Sequence, residues 1–321
     1  MPARRGVLAF VLSVVVLVVA LGLAAFVHLR REGLPVGSPV VLIFDVPASL
    51  PEGDPPPGSF LFSPRRRDRL TTYDVVRTLR AATADEDVVG LVLHVESLDW
   101  GWARTDEVRE AVSEFRDAGK PVYVSLTDGG ELEYMLATAA DIVSMPPTAE
   151  LQLDGLAATA TFYRGTFDKI GVRPNFVQVG RFKSAAEAYT RTDMSPEARE
   201  ALGALLDDLY GLLLERVGEG RGIERDSVAH LLDRGPFAAD EAKQLGLLDT
   251  LLYDTEVDSL ALTAHGVRRR AVSLARYAAG LSAPLTGPRV ALVTAEGEIV
   301  SGRSRALPGQ EFNAMEERGG R

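Results

Sequence analysis

The sequence contains no cysteine and only four histidines. The first absence excludes disulfides, thiolate metal sites and a cysteine nucleophile. The histidines (His28, His94, His230, His265) are scattered without ligand spacing, and His94 lies inside an apolar run that reads as a sheet residue. No metal and no cofactor are expected. Gly-x-Gly-x-x-Gly, the Walker loop, Gly-x-Ser-x-Gly and His-Glu-x-x-His are also missing. Positive charge is in deficit, with a formal net charge of −10. An acidic body repels phosphate backbones, which argues against nucleic acid as a partner. Lysine is scarce: Lys120, Lys169, Lys183 and Lys243 are the only four in a chain otherwise supplied by arginine.

What remains is ordinary for a globular protein, with 46% hydrophobic and 25% charged residues in 321. That length fits one large domain or two small ones. Val7 to Val27 is an uncharged run rich in Val, Leu and Ala, flanked by Arg4-Arg5 and Arg30-Arg31. As a helix it spans a hydrocarbon core of about 30 Å, and it exceeds the roughly 7–15 apolar residues of a cleaved signal. An uncleaved anchor over 7–29 is expected, after a cytoplasmic stretch 1–6. The short basic N-terminus stays inside, placing the acidic body on the extracytoplasmic side of the inner (plasma) membrane, single-pass.

After a linker at 30–39, Val40 to Val46 has strand character, and residues 47–69, rich in proline and ending near Arg65-Arg66-Arg67, form a loop. An alternation follows: helix Thr72 to Ala84, strand Val88 to Val95, helix Thr105 to Ala118, strand Pro121 to Leu126, helix Leu132 to Ala139, strand Asp141 to Met145, helix Phe162 to Ile170, strand Asn175 to Val179. Such alternation predicts βαβ units and a mostly parallel sheet. From Ser195 the pattern turns helical. Ser195-Pro196 starts a helix that runs to about Val217 and stops at Gly218-Glu219-Gly220. Its leucine stripe (Leu202, Leu205, Leu206, Leu209, Leu212, Leu213) suits a core or a subunit contact. Shorter helices are expected at about 224–232 and 238–245. A main domain of 40–283 is thus followed by a linker at 284–288 and the start of a second α/β domain at 289–321.

One segment carries possible chemistry: Gly180-Arg-Phe-Lys183-Ser184-Ala-Ala-Glu187-Ala-Tyr189. Lys183 would sit just past the carboxyl end of a strand, where parallel sheets bind ligands. Burial there favours an uncharged amine, which can deprotonate a serine. The plain alternative is a surface lysine paired with Glu187 across a helical turn.

This segment, with Met194-Ser195 and Arg199, resembles the general-base motif of the signal peptide peptidase (protease IV) family, and Ala118-Gly-Lys-Pro-Val-Tyr-Val124 resembles that family's central strand entry. The resemblance covers about residues 40–302. It implies a ClpP/crotonase-like α/β fold and membrane-bound serine endopeptidase activity on cleaved signal peptides. It makes Lys183 the general base, with Gly180, Ser184 and Glu187 in support, although a helix cap explains Ser184 equally well. Two places depart from the family. Aligning Tyr134 and Ala140-Asp141-Ile142 puts Glu131 at the nucleophile position, where a carboxylate near Lys183 would hold the ammonium. The oxyanion loop reads Glu96-Ser-Leu-Asp-Trp-Gly101 instead of a glycine-rich turn, with Trp100 in the way. Ser97 and Ser125 are the remaining serines near strand ends, and turn chemistry explains such serines well.

The family's long form is a tandem duplication whose N-terminal half gives the lysine and whose C-terminal half gives the serine. The chain is therefore expected to be the N-terminal half of a long form, catalytically incomplete alone. Its expected partners are peptide substrates, the lipid bilayer, the second peptidase half and further copies in a homo-oligomer. The alternative is a non-catalytic anchored peptide-binding or scaffold subunit. A crotonase-like acyl-CoA enzyme is disfavoured by Trp100.

Overall fold

The computed structural model describes residues 39–53, 70–267 and 271–281. The expected anchor, the first expected linker up to residue 38, the second expected linker, the Arg65–Arg67 cluster and the 289–321 segment lie outside these residues. Among the described residues no helix is long and apolar enough to cross a membrane.

In chain order the first elements are β1 (Val40–Asp45), α1 (Thr72–Ala84), β2 (Val88–Val95), α2 (Trp102–Asp117), β3 (Val122–Leu126), α3 (Glu131–Ala137), β4 (Ile142–Met145) and β5 (Glu150–Leu151). The expected alternation is thus present, with boundaries shifted by three residues or fewer. Local chemistry sets them. Thr71 caps α1 in a reciprocal pair with Asp74. Val75, Val76 and Leu79 of that helix are buried. Gly119, at φ 83°, takes the left-handed turn that releases the chain from α2 into β3.

The chain continues through α4 (Arg164–Lys169), α5 (Glu187–Thr190), α6 (Pro196–Arg221), α7 (Arg225–Leu232), β6 (Phe237–Ala238), α8 (Ala239–Gln244), β7 (Thr250–Leu251), α9 (Asp254–Ala264), β8 (Ala271–Ser273) and α10 (Leu274–Gly280). The main sheet has six strands in the order β7-β4-β3-β2-β1-β8, and each pairing is parallel. One face buries α1, α2, α3 and the C-terminal part of α6. The other packs Val41, Val92 and Tyr123 against Val257 and Ala261 of α9. Helices on both faces explain why the strands are apolar almost throughout.

Three expectations are corrected. The part after Ser195 is not all-helical, because β7 and β8 return to complete the two edges of the sheet and β6 pairs with β5. Strands of two or three residues are too short to leave a period in the sequence. Helix α6 does not stop at Gly218-Glu219-Gly220 but runs to Arg221, ending at Gly222 with φ 65°. A side chain at Gly220 would place its Cβ 2.2 Å from the Thr138 carbonyl oxygen, so that glycine permits close approach to α3. Arg221 fixes the end through a two-pronged contact with Asp249, whose Oδ2 also accepts from Val143 N–H. The third correction concerns Asn175–Val179, which form no strand and stand in solvent.

Candidate active site

The carboxyl ends of β2 and β3 hold the residues aligned with a nucleophile and an oxyanion loop. Glu131 is the first residue of α3 and is half-buried. Its Oε1 accepts the backbone N–H groups of Asp154 at 3.2 Å and Gly155 at 3.1 Å. Burial pushes its carboxyl up from the usual range, against the pull of those N–H groups. Glu131 makes no ion pair with Lys183, so the feared ammonium clamp is not formed.

The loop after β2 is closed by internal bonds. Glu133 is buried and accepts from Leu98 N–H at 2.7 Å and from Gly130 N–H at 3.1 Å. Asp99 N–H goes to the Ala48 carbonyl at 2.7 Å. Trp100 is a core residue whose Nε1–H donates to the Pro47 carbonyl at 3.0 Å. Donors spent in this way cannot face a developing oxyanion. Glu133 escaped sequence reasoning, although a glutamate three residues after a glycine before an apolar run is a capping signal.

Lys183 lies elsewhere than expected. With no strand at 175–179, it sits not at the sheet edge but on an arm that leaves the body after Gly155 and returns at Ser195. Neither α4 nor α5 buries a residue. The arm is held together by Tyr189, which stacks on Tyr163 and Phe176 at ring separations of 6.1 and 5.6 Å. Gly180, at φ 103°, makes the turn whose carbonyl accepts from Lys183 N–H at 3.2 Å. Lys183 borders a groove of about 600 Å³ with Phe176, Val177, Val179, Ala186 and Tyr189. Its ammonium has no ion pair or hydrogen bond among the described residues.

The Lys183–Glu187 pair is likewise absent. Glu187 accepts from the Ser195 hydroxyl at 2.6 Å and from Ser195 N–H at 3.0 Å, and these bonds hold its carboxyl below the usual range. Ser195 Oγ in turn accepts from Ala198 N–H at 3.1 Å, the expected helix cap. Glu187 therefore joins the arm to the start of α6. Ser184 caps no helix, since Ala186 holds the N-cap position of α5. Ser97 is exposed beyond β2, and Ser125 is buried, with Oγ donating to Asp254 at 2.5 Å. Ser125 is thus a sheet-to-helix tie. His94 bridges Asp45 at 2.8 Å and Asp258 at 3.0 Å. Burial depresses this imidazole, but both carboxylates outweigh it and the net direction is up.

The described residues thus form an α/β body with a mostly parallel sheet and an exposed arm that carries Lys183. Residues 114–268 match the model of Peptidase family S49. The chain is thus similar to this family over just under half of its length, and to relatives named for SPPA and Protease 4. It is 31% identical over 188 residues to the chloroplastic serine protease SPPA of Arabidopsis thaliana, covering 59% of this chain and 28% of that protein. Protease 4 of Salmonella typhi is 29% identical over 252 residues, covering 73% of this chain and 41% of that one. The chain spans less than half the length of these relatives. Among solved structures, the 1510-N membrane-bound stomatin-specific protease superposes at TM-score 0.36 with 10% identity, covering 74% of this chain and 92% of that one.

Proposed function

We propose that this chain is the base-supplying part of a serine endopeptidase of the signal peptide peptidase type, with a ClpP/crotonase-like fold. Lys183 is the general base, supported by Gly180, Ser184 and Glu187, and the nucleophilic serine comes from a second peptidase half. The observation that carries this is the contrast between two ends of the site. Lys183 is unpaired beside an apolar groove, while Glu131 and Glu133 occupy the backbone donors at the nucleophile end.

The chemistry follows from that placement. A partner that covers the groove removes water from the amine and favours its uncharged form. The amine takes the proton of the partner's serine hydroxyl as the oxygen bonds to the peptide carbonyl carbon. The resulting ammonium returns the proton to the leaving amine as the C–N bond breaks. Water then releases the acyl group by the same route. The substrates are cleaved signal peptides. An anchor at 7–29 would hold the body on the extracytoplasmic side of the inner membrane, in a homo-oligomer.

In the complete peptidase, Lys183→Ala is expected to abolish hydrolysis, whereas the chain alone should not react with a fluorophosphonate probe. Strong labelling of the isolated chain would sink the divided site and point to Ser97 or Ser125. A second reading, a non-catalytic scaffold, is favoured by the exposure of the arm, where Val177 is 98% and Val179 87% exposed. Full activity in Lys183→Ala would establish it.

A further inference from the structure

The arm that carries Lys183 has few ties to the body. Its helices bury nothing, and its aromatic cluster is its own. At the far root, Glu187 binds Ser195 and Arg181 lies 3.9 Å from Glu197 of α6. At the near root, the backbone is fixed as far as Gln152, whose N–H donates to the Gly129 carbonyl at 2.6 Å, and Leu153 is buried. Next comes Gly155, at φ 91°, a conformation that frees the chain to change direction. Between these points stands Glu131. One oxygen, Oε1, takes both the Asp154 and the Gly155 N–H.

We infer that Glu131 is a positioning residue for the arm. Its carboxylate extends the fixed backbone from Leu153 to the hinge itself, and so sets the direction in which Lys183 is presented. The residue at the nucleophile position has then not merely lost a function. It acts through the backbone on the base that the site retains. The link to catalysis rests on the proposed role of Lys183, but the latch itself does not.

Hydrogen–deuterium exchange on the full chain tests this. Loss of hydrogen bonds to a charged acceptor should raise exchange by about tenfold or more at the amides they protect. Glu131→Ala is therefore expected to accelerate Asp154, Gly155 and the arm peptides by that factor, while peptides of β2 and β3 keep their rates. Glu131→Gln retains a carbonyl oxygen able to accept both N–H groups and should return the arm close to the wild-type rate. Unchanged exchange at 154–163 in Glu131→Ala would overturn the inference. So would equal acceleration in β2 and β3, which marks global destabilisation, or failure of Glu131→Gln to rescue. If the peptidase reading alone is wrong, Lys183→Ala leaves hydrolysis intact while the exchange pattern stands.

Discussion

Two glycines in one helix are expected to respond in opposite directions to the same substitution. Glycine inside a helix is less favourable than alanine by roughly 1 kcal/mol. Gly203 and Gly220 both lie within α6. At Gly203 an added Cβ meets nothing within 4 Å. At Gly220 it would lie 2.2 Å from the Thr138 carbonyl oxygen and 2.6 Å from the Thr138 Cβ. Thr138 cannot retreat easily, because it is fully buried, its hydroxyl donates to the Met135 carbonyl, and it accepts from Arg109 Nε–H. Arg109 also holds the Arg216 carbonyl of α6 at 3.1 Å. Relief of the overlap requires α6 and α3 to separate, which costs about 1–3 kcal/mol by overpacking and strains the Arg109 bonds. Gly203→Ala should therefore raise the melting temperature by roughly 2–4 °C, and Gly220→Ala should lower it by several degrees. Thermal melts followed by circular dichroism, with urea midpoints as a check, measure both. If Gly220→Ala is stabilised like Gly203→Ala, α6 does not pack on Thr138 and the account of its late end is wrong.

Two further outcomes follow from the polar ties. His94 has a raised folded-state pKa, so its contribution is fully present below about pH 6.5, the unfolded value, and is lost as pH rises through the folded one. The stability gap between wild type and His94→Gln should accordingly narrow from mildly acidic to alkaline pH, and a gap constant with pH would contradict the bridge to Asp45 and Asp258. Glu133→Ala strips the acceptor from the Leu98 and Gly130 N–H groups and should cost about 2–6 kcal/mol in urea unfolding, at roughly 1–3 kcal/mol per orphaned donor. A cost below 1 kcal/mol would mean that water replaces the carboxylate.

How much of this could be read from the sequence depends on the range over which each signal acts. The span of helix α1 and the apolar strand β2 rest on local signals, and both were legible. Strands β7 and β8 were not, because two or three residues acquire their meaning only from the edges they join. Gly220 reads as a stop when only its own helix is considered, and as a contact once Thr138 is beside it. The same limit governs the site. The motif around Lys183 is contiguous and could be recognised, but its environment was misjudged. Asn175–Val179 have strand composition and no partner strand among the described residues. Composition of that kind marks a segment able to pair, and unpaired backbone with exposed apolar side chains is a surface that another chain can cover. The failed strand assignment thus bears on the mechanism. Under the proposed function, one surface of the second half would both shield Lys183 and pair with Asn175–Val179.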